Sequence, residues 1–104
     1  MSKVWKVLEL TVAKYWGVAR NALSGSNSHI TMSDTLHPYL YIECKYSKSL
    51  PKYITDLWAD TARKAKEEGK IPVVVMKGRQ QSGFFVLTDN VNIDRIIQER
   101  EVIF

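Results

Sequence analysis

D-T-L-H-P-Y-L-Y-I-E-C-K, running from Asp34 to Lys45, places two acids and a lysine within one short stretch. Its second half, Leu40 to Tyr46, reads as a strand, and side chains alternate along a strand. Glu43 and Lys45 then share one face while Ile42 and Cys44 point to the other. A hairpin through His37-Pro38 would fold Asp34 back beside Glu43, giving two carboxylates and an ammonium at one spot. Carboxylates that close repel unless a cation neutralises them, and hard oxygen ligands with room for water and phosphate suit Mg²⁺. A neighbouring lysine can orient or activate a water, which together makes a set fit for metal-assisted phosphodiester hydrolysis. The plainer reading of the trio is a surface salt bridge, which contributes little to stability and needs no second acid.

Working outward, the chain before this stretch carries nearly all the charge asymmetry. Residues 1–52 hold seven Lys/Arg against three acids, Glu9, Asp34 and Glu43, whereas residues 53–104 hold eight of each. Since each of those three acids is itself a candidate site residue, the remaining surface of the first half is expected to be positive, as suits a protein meeting a polyanion. A chance excess of lysine is the alternative. Ser2 is placed to cap a helix that runs to about Trp16 and stops at Gly17. Val4, Leu8, Val12 and Tyr15 form its apolar stripe, flanked by Trp5 and Trp16, with Lys3, Lys6 and Lys14 on the far side. Glu9 falls at the edge of the stripe, either as a partly exposed surface acid or as a side chain aimed into a neighbouring site.

Residues 17–33 contain Arg20, Asn21, Asn27, His29 and several serines but no acid, and read as a long loop. It is either a solvated connection or a phosphate-contacting one, with Arg20, Ser24, Gly25, Ser26, Asn27 and His29 offering hydroxyls, amides and backbone N–H groups. His29 and His37 lack a second histidine or cysteine at metal-ligand spacing. Beyond the central stretch, Lys48 and Lys52 extend the basic character. A helix follows from Pro51 to about Glu68, with Leu50, Ile54, Leu57, Trp58, Thr61, Ala62 and Ala65 on one face and Gly69 as the stop. Ile71 to Lys77 reads as a strand covered on both faces, and Phe84 to Thr88 as another. Asn90 or Asn92 caps a last short helix through Ile93, Ile96 and Ile97. A strand-helix-strand order implies an α/β domain with a mixed central β-sheet flanked by helices.

With 104 residues, one cysteine (Cys44), and no apolar run long enough to span a bilayer, the expectation is a single cytoplasmic domain without disulfides or a membrane segment. There is no signal-peptide pattern at the N-terminus.

Taken together, Glu9, Arg20 with Leu23-Ser24-Gly25, Asp34, Ile42-Glu43-Cys44-Lys45, the amphipathic helix and Pro72-Val73-Val74-Val75 resemble the PD-(D/E)XK nuclease superfamily, and within it the archaeal-type Holliday junction resolvases and their small phage-encoded relatives. The resemblance covers most of the chain and implies a single restriction-endonuclease-like domain over residues 1–104. It implies a metal-dependent DNA endonuclease acting on four-way or otherwise branched DNA as a homodimer. By the same resemblance Asp34 and Glu43 hold Mg²⁺, which Mn²⁺ can replace, the Cys44 carbonyl is a further ligand, Lys45 assists the attacking water, and Glu9 completes the site. Arg20, Ser24 and the loop after it match the segment that engages DNA. The chain departs from the pattern in carrying Ser33 where the superfamily's name has proline, in having only eight residues between Asp34 and Glu43, and in lacking a glutamine from Tyr53 to Lys66.

Overall fold

The computed structural model describes residues 3–22 and 31–100. The chain divides into two compact units, residues 1–48 and 49–104.

The first unit opens with helix α1, Lys3–Tyr15. Its end is set by Gly17, whose φ of 70° lies in the left-handed region that glycine adopts without steric cost. There the Val18 N–H reaches back to the Ala13 carbonyl and the Gly17 N–H to that of Lys14, so two orphan carbonyls of the last turn are satisfied. The buried stripe is rotated from the expected one. Glu9 and Ala13, one turn apart, lie innermost, Leu8 and Val12 are half-buried, and Val4 and Tyr15 are exposed. Small Ala13 permits close approach, and pairing of Glu9 draws the polar edge of the helix inward. The cap expected from Ser2 lies outside the described residues.

Among the described residues from Ala19 to Lys48 this unit has irregular backbone. The expected strand Leu40–Tyr46 does not form. A single antiparallel bridge joins Arg20 to Thr35, and one backbone bond, from the Asp34 N–H to the Ile42 carbonyl at 2.8 Å, ties the two arms of the central stretch. Side chains replace the rest of the ladder. The Ser33 hydroxyl accepts from the Ile42 N–H at 2.7 Å and donates to the Ile42 carbonyl at 3.0 Å. Even so, burial alternates as an extended chain requires, with Ile42 and Cys44 half-buried and Tyr41, Glu43 and Lys45 exposed.

The second unit begins with α2, Lys52–Glu67, with Pro51 at the cap position. Gly69, at φ 67°, closes it in the same way as Gly17 closes α1: the Lys70 N–H meets the Ala65 carbonyl and the Gly69 N–H that of Lys66. Ile54, Leu57, Trp58, Thr61, Ala62 and Ala65 form the inner face, and Leu50 is exposed. Lys52, Asp56, Asp60, Arg63, Lys64 and Glu67 pair along the outside. Strands β1, Val74–Met76, and β2, Phe85–Leu87, form a two-stranded antiparallel sheet with Val74 opposite Leu87 and Met76 opposite Phe85. Helix α3, Ile93–Arg100, follows a turn in which the Asp89 carboxylate accepts both the backbone and side-chain N–H of Asn92.

This architecture overturns the mixed central sheet flanked by helices. Among the described residues there are three helices and one two-stranded antiparallel sheet. The short link between β1 and β2 suits an antiparallel hairpin, and the crossover that a mixed sheet needs is missing because Leu40–Tyr46 is not a strand. Nor is β1 covered on both faces. Val74 is buried, while Val73 and Val75 on the other face are exposed. A run of valines is compatible with a one-sided strand as well as a two-sided one, and sequence periodicity does not separate the two. Among the described residues no helix is long and apolar enough to cross a membrane.

Candidate functional site

All four residues expected to carry the chemistry, Glu9, Asp34, Glu43 and Lys45, belong to the first unit. Asp34 is held from both neighbouring segments. Its carbonyl accepts the Asn21 N–H at 3.0 Å, and its own N–H is spent on Ile42. Asn21 is itself buried, donating through Nδ2 to the carbonyls of Thr31 and Ser33, so it braces the residues on which Asp34 sits. The Asp34 carboxylate is buried and its Oδ2 accepts the Cys44 N–H at 2.6 Å. A charged acceptor makes such a bond short and strong. It fixes Asp34 directly against the tripeptide Glu43-Cys44-Lys45.

Glu43 and Lys45 lie on the outer face of that tripeptide, both exposed, with Lys45 Nζ 3.2 Å from Glu43 Oε2. Cys44 points inward, and its thiol is pushed above its ordinary pKa, first by burial and then by the negative charges of Asp34, Glu9 and Glu43. Three acids far apart in sequence thus act on a single atom.

Glu9 is only 5% exposed, so it is not a partly exposed surface acid. Its Oε1 accepts from Arg20 Nε at 2.7 Å, and the Arg20 guanidinium also lies over the Trp5 ring, 5.8 Å from its centroid. A buried carboxylate requires such a partner. Arg20, expected at the phosphate, is therefore committed to Glu9 and Trp5. Lys48 is exposed. Lys52 belongs to the second unit, where it pairs with Asp56. Ser24, Gly25, Ser26, Asn27 and His29 lie outside the described residues.

Carboxylate oxygens are the right donors for Mg²⁺, and Asp34 and Glu43 both bear electrostatically on Cys44. Among the described residues, however, no group of three or more His, Cys, Asp and Glu side chains is gathered to hold a metal. Glu9 is engaged by Arg20. Of the expected ligands, Asp34 is buried and Glu43 is exposed and paired with Lys45.

Sequence reasoning passed over Ser33, Asn21 and Thr35, which are buried and polar. Their signal was faint but present: Ser33 and Thr35 flank Asp34, and Asn21 lies in the loop before it. It also treated separately Trp16, His37 and Tyr39, whose rings meet edge to face in the structure.

Compared with family models, with characterised proteins and with solved structures, the chain matches none of them.

Proposed function

We propose that this chain is a Mg²⁺-dependent DNA endonuclease built on the constellation Asp34, Glu43 and Lys45, which is similar in its residues to the PD-(D/E)XK nucleases. Its substrate is branched DNA, foremost a four-way junction, cut by a homodimer in the cytoplasm. The observation that supports this best is the 2.6 Å bond from the Cys44 N–H to Asp34, which brings the upstream acid to the Glu-x-Lys tripeptide. Neither the mixed sheet nor Arg20 at the phosphate is needed for it.

In this reading Asp34 and Glu43 hold the cation. When bound, Mg²⁺ supplies charge neutralisation at a phosphate oxygen and a more acidic water. The Cys44 amide keeps the Asp34 carboxylate from turning away. Exposed Lys45 donates to the attacking water or to the phosphate, and its pairing with Glu43 keeps it at the tripeptide. Exposed Lys48 meets the DNA backbone as a phosphate contact. A second reading, a catalytically silent DNA-binding module, draws on the Glu9–Arg20 pair, which takes Glu9 out of the acids expected at the site.

The test is cleavage of labelled four-way, flap, nicked and linear DNA with Mg²⁺, with Mn²⁺ and with EDTA, by the native chain and by Asp34→Asn. Asparagine keeps an oxygen to accept the Cys44 N–H but loses the charge a cation needs. The junction should be cut with either metal, not with EDTA and not by the variant, while the variant still binds DNA. Near-native cleavage by Asp34→Asn would remove the assignment, and binding without cleavage by the native chain would select the silent module.

A further inference from the structure

Beside the acid cluster the first unit displays a row of aromatic rings. Tyr15 and Trp16 meet edge to face at 4.9 Å, Trp16 and His37 at 6.5 Å, and His37 and Tyr39 at 6.3 Å. His37 is fixed within the row because its Nδ1 accepts the N–H groups of both Tyr39 and Leu40, each at 3.0 Å. That leaves Nδ1 without a proton and shapes the turn through Pro38. The turn projects Tyr39, which is 90% exposed. A tyrosine ring held this far into solvent by a built turn buries almost nothing and adds little to stability. Its exposure leaves the Tyr39 ring available to stack against a flat partner.

The charge around the row says what it suits. Among the described residues of this unit, Lys6, Lys14, Lys45 and Lys48 are exposed, whereas Glu9 and Asp34 are buried. Glu43 is the one exposed acid there, and it is paired with Lys45. The first unit thus offers exposed lysines together with an exposed aromatic ring at Tyr39, and single-stranded nucleic acid, a polyanion that carries flat, stackable groups, is recognised by that combination. A sugar or an apolar peptide would gain nothing from the lysines. Tyr39 is five residues from Asp34 in the same segment.

We infer that Trp16, His37 and Tyr39 form a stacking platform for unpaired bases of the DNA strand next to the carboxylate cluster. This rests on the nucleic-acid reading above and adds to it a preference for substrates with unpaired bases. Bases inside fully paired arms keep both faces stacked on their neighbours. Open branch points, flaps and single strands offer free base faces.

The experiment is binding by fluorescence anisotropy in EDTA, so that cleavage plays no part. The probes are a labelled thymidine oligonucleotide, the same strand with abasic sites, and a blunt duplex, tested with the native chain, Tyr39→Ala, Tyr39→Phe and Tyr53→Ala. Tyr53 is an exposed tyrosine of the second unit and serves as the control. Tyr39→Ala should weaken binding of the thymidine strand about tenfold, the size of stacking one base. Tyr39→Phe keeps the ring and should bind as the native chain does, as should Tyr53→Ala. The abasic strand and the duplex should bind the native chain more weakly than the thymidine strand does, and Tyr39→Ala should not weaken them further. Equal losses on all three probes would make Tyr39 a backbone contact and overturn the platform. So would no loss at all, or a fall in sedimenting mass without loss of binding, which would make the row a protein contact. Absence of binding to any of the DNAs would overturn the nucleic-acid reading itself, whereas base-independent binding overturns only the platform.

Discussion

The two units of this chain are held together by opposite means. Among the described residues of 1–48 the buried side chains are mostly polar: Glu9, Asn21, Ser33, Asp34 and Thr35, with Ala13 as the one buried apolar residue. In residues 49–104 the one buried residue among those described is Val74, and charges sit outside in exposed pairs along α2. Among the described residues no buried side-chain polar atom lacks a partner. A satisfied polar network specifies its geometry closely, because removing one member leaves another buried and unpaired. An amphipathic helix over a hairpin has no such requirement and tolerates changes on its outer face. Regular structure thus accumulates in the second unit, and chemistry-bearing side chains in the first.

The sharpest way to break this contrast is at Lys45, which is exposed and takes no part in the buried network. Lys45→Ala should lower the single-turnover cleavage rate roughly 10²-fold, the scale of a positioned acid–base group, and change affinity far less. Equal losses in rate and affinity would make Lys45 a phosphate clamp.

Next in size are losses of stability within the first unit. Ser33→Ala strips the Ile42 N–H and carbonyl of their hydroxyl partner and should cost about 1–3 kcal/mol in denaturant unfolding. Glu9→Gln, which leaves Arg20 beside a neutral amide, should cost roughly 1.5–3 kcal/mol, the value of a hydrogen bond to a charged group. If both variants unfold at the native midpoint, the buried polar residues are incidental and the comparison between units fails.

A smaller effect reads the convergence of the acids. Burial and three carboxylates raise the pKa of Cys44, so at any given pH less thiolate is present than for a free cysteine. Iodoacetamide should therefore modify it slowly in the folded chain, with the rate rising as pH climbs toward the raised pKa. Glu43→Gln or Asp34→Asn removes a negative neighbour, lowers that pKa and should speed the reaction at fixed pH. An unchanged rate would mean that these acids do not act on Cys44.

The smallest effect belongs to the second unit. Arg63 bridges Asp60 and Glu67 on the solvated face of α2, and Lys64, with Arg63 after it, holds the Asp60 carboxyl below its usual pKa. Exposed pairs of this kind add little to stability. Arg63→Ala should leave the unfolding midpoint unmoved, and a clear drop would show that this unit too depends on its charges.

Several features were legible in the residues because they depend on near neighbours. Gly17 and Gly69 mark helix ends since the left-handed turn beyond a helix favours glycine. The inner face of α2 follows from a period of 3.6, and the opposed faces of Glu43 with Lys45 and Ile42 with Cys44 follow from a period of two. The positions of β1 and β2 within their apolar runs were also readable, but not how many faces each would bury.

What only the tertiary structure decided is which groups satisfy which. Asp34 accepts the Cys44 amide ten residues away instead of standing beside a regular strand, and Ser33 bonds Ile42 in place of a neighbouring backbone. Glu9 and Arg20, eleven residues apart, take each other rather than a surface and a phosphate. Sequence sets the local dihedral preferences and the pattern of apolar faces. The choice among competing donors and acceptors turns on where the folded backbone places them, and a short polar side chain that reaches a backbone group can displace the ladder that periodicity alone would have drawn.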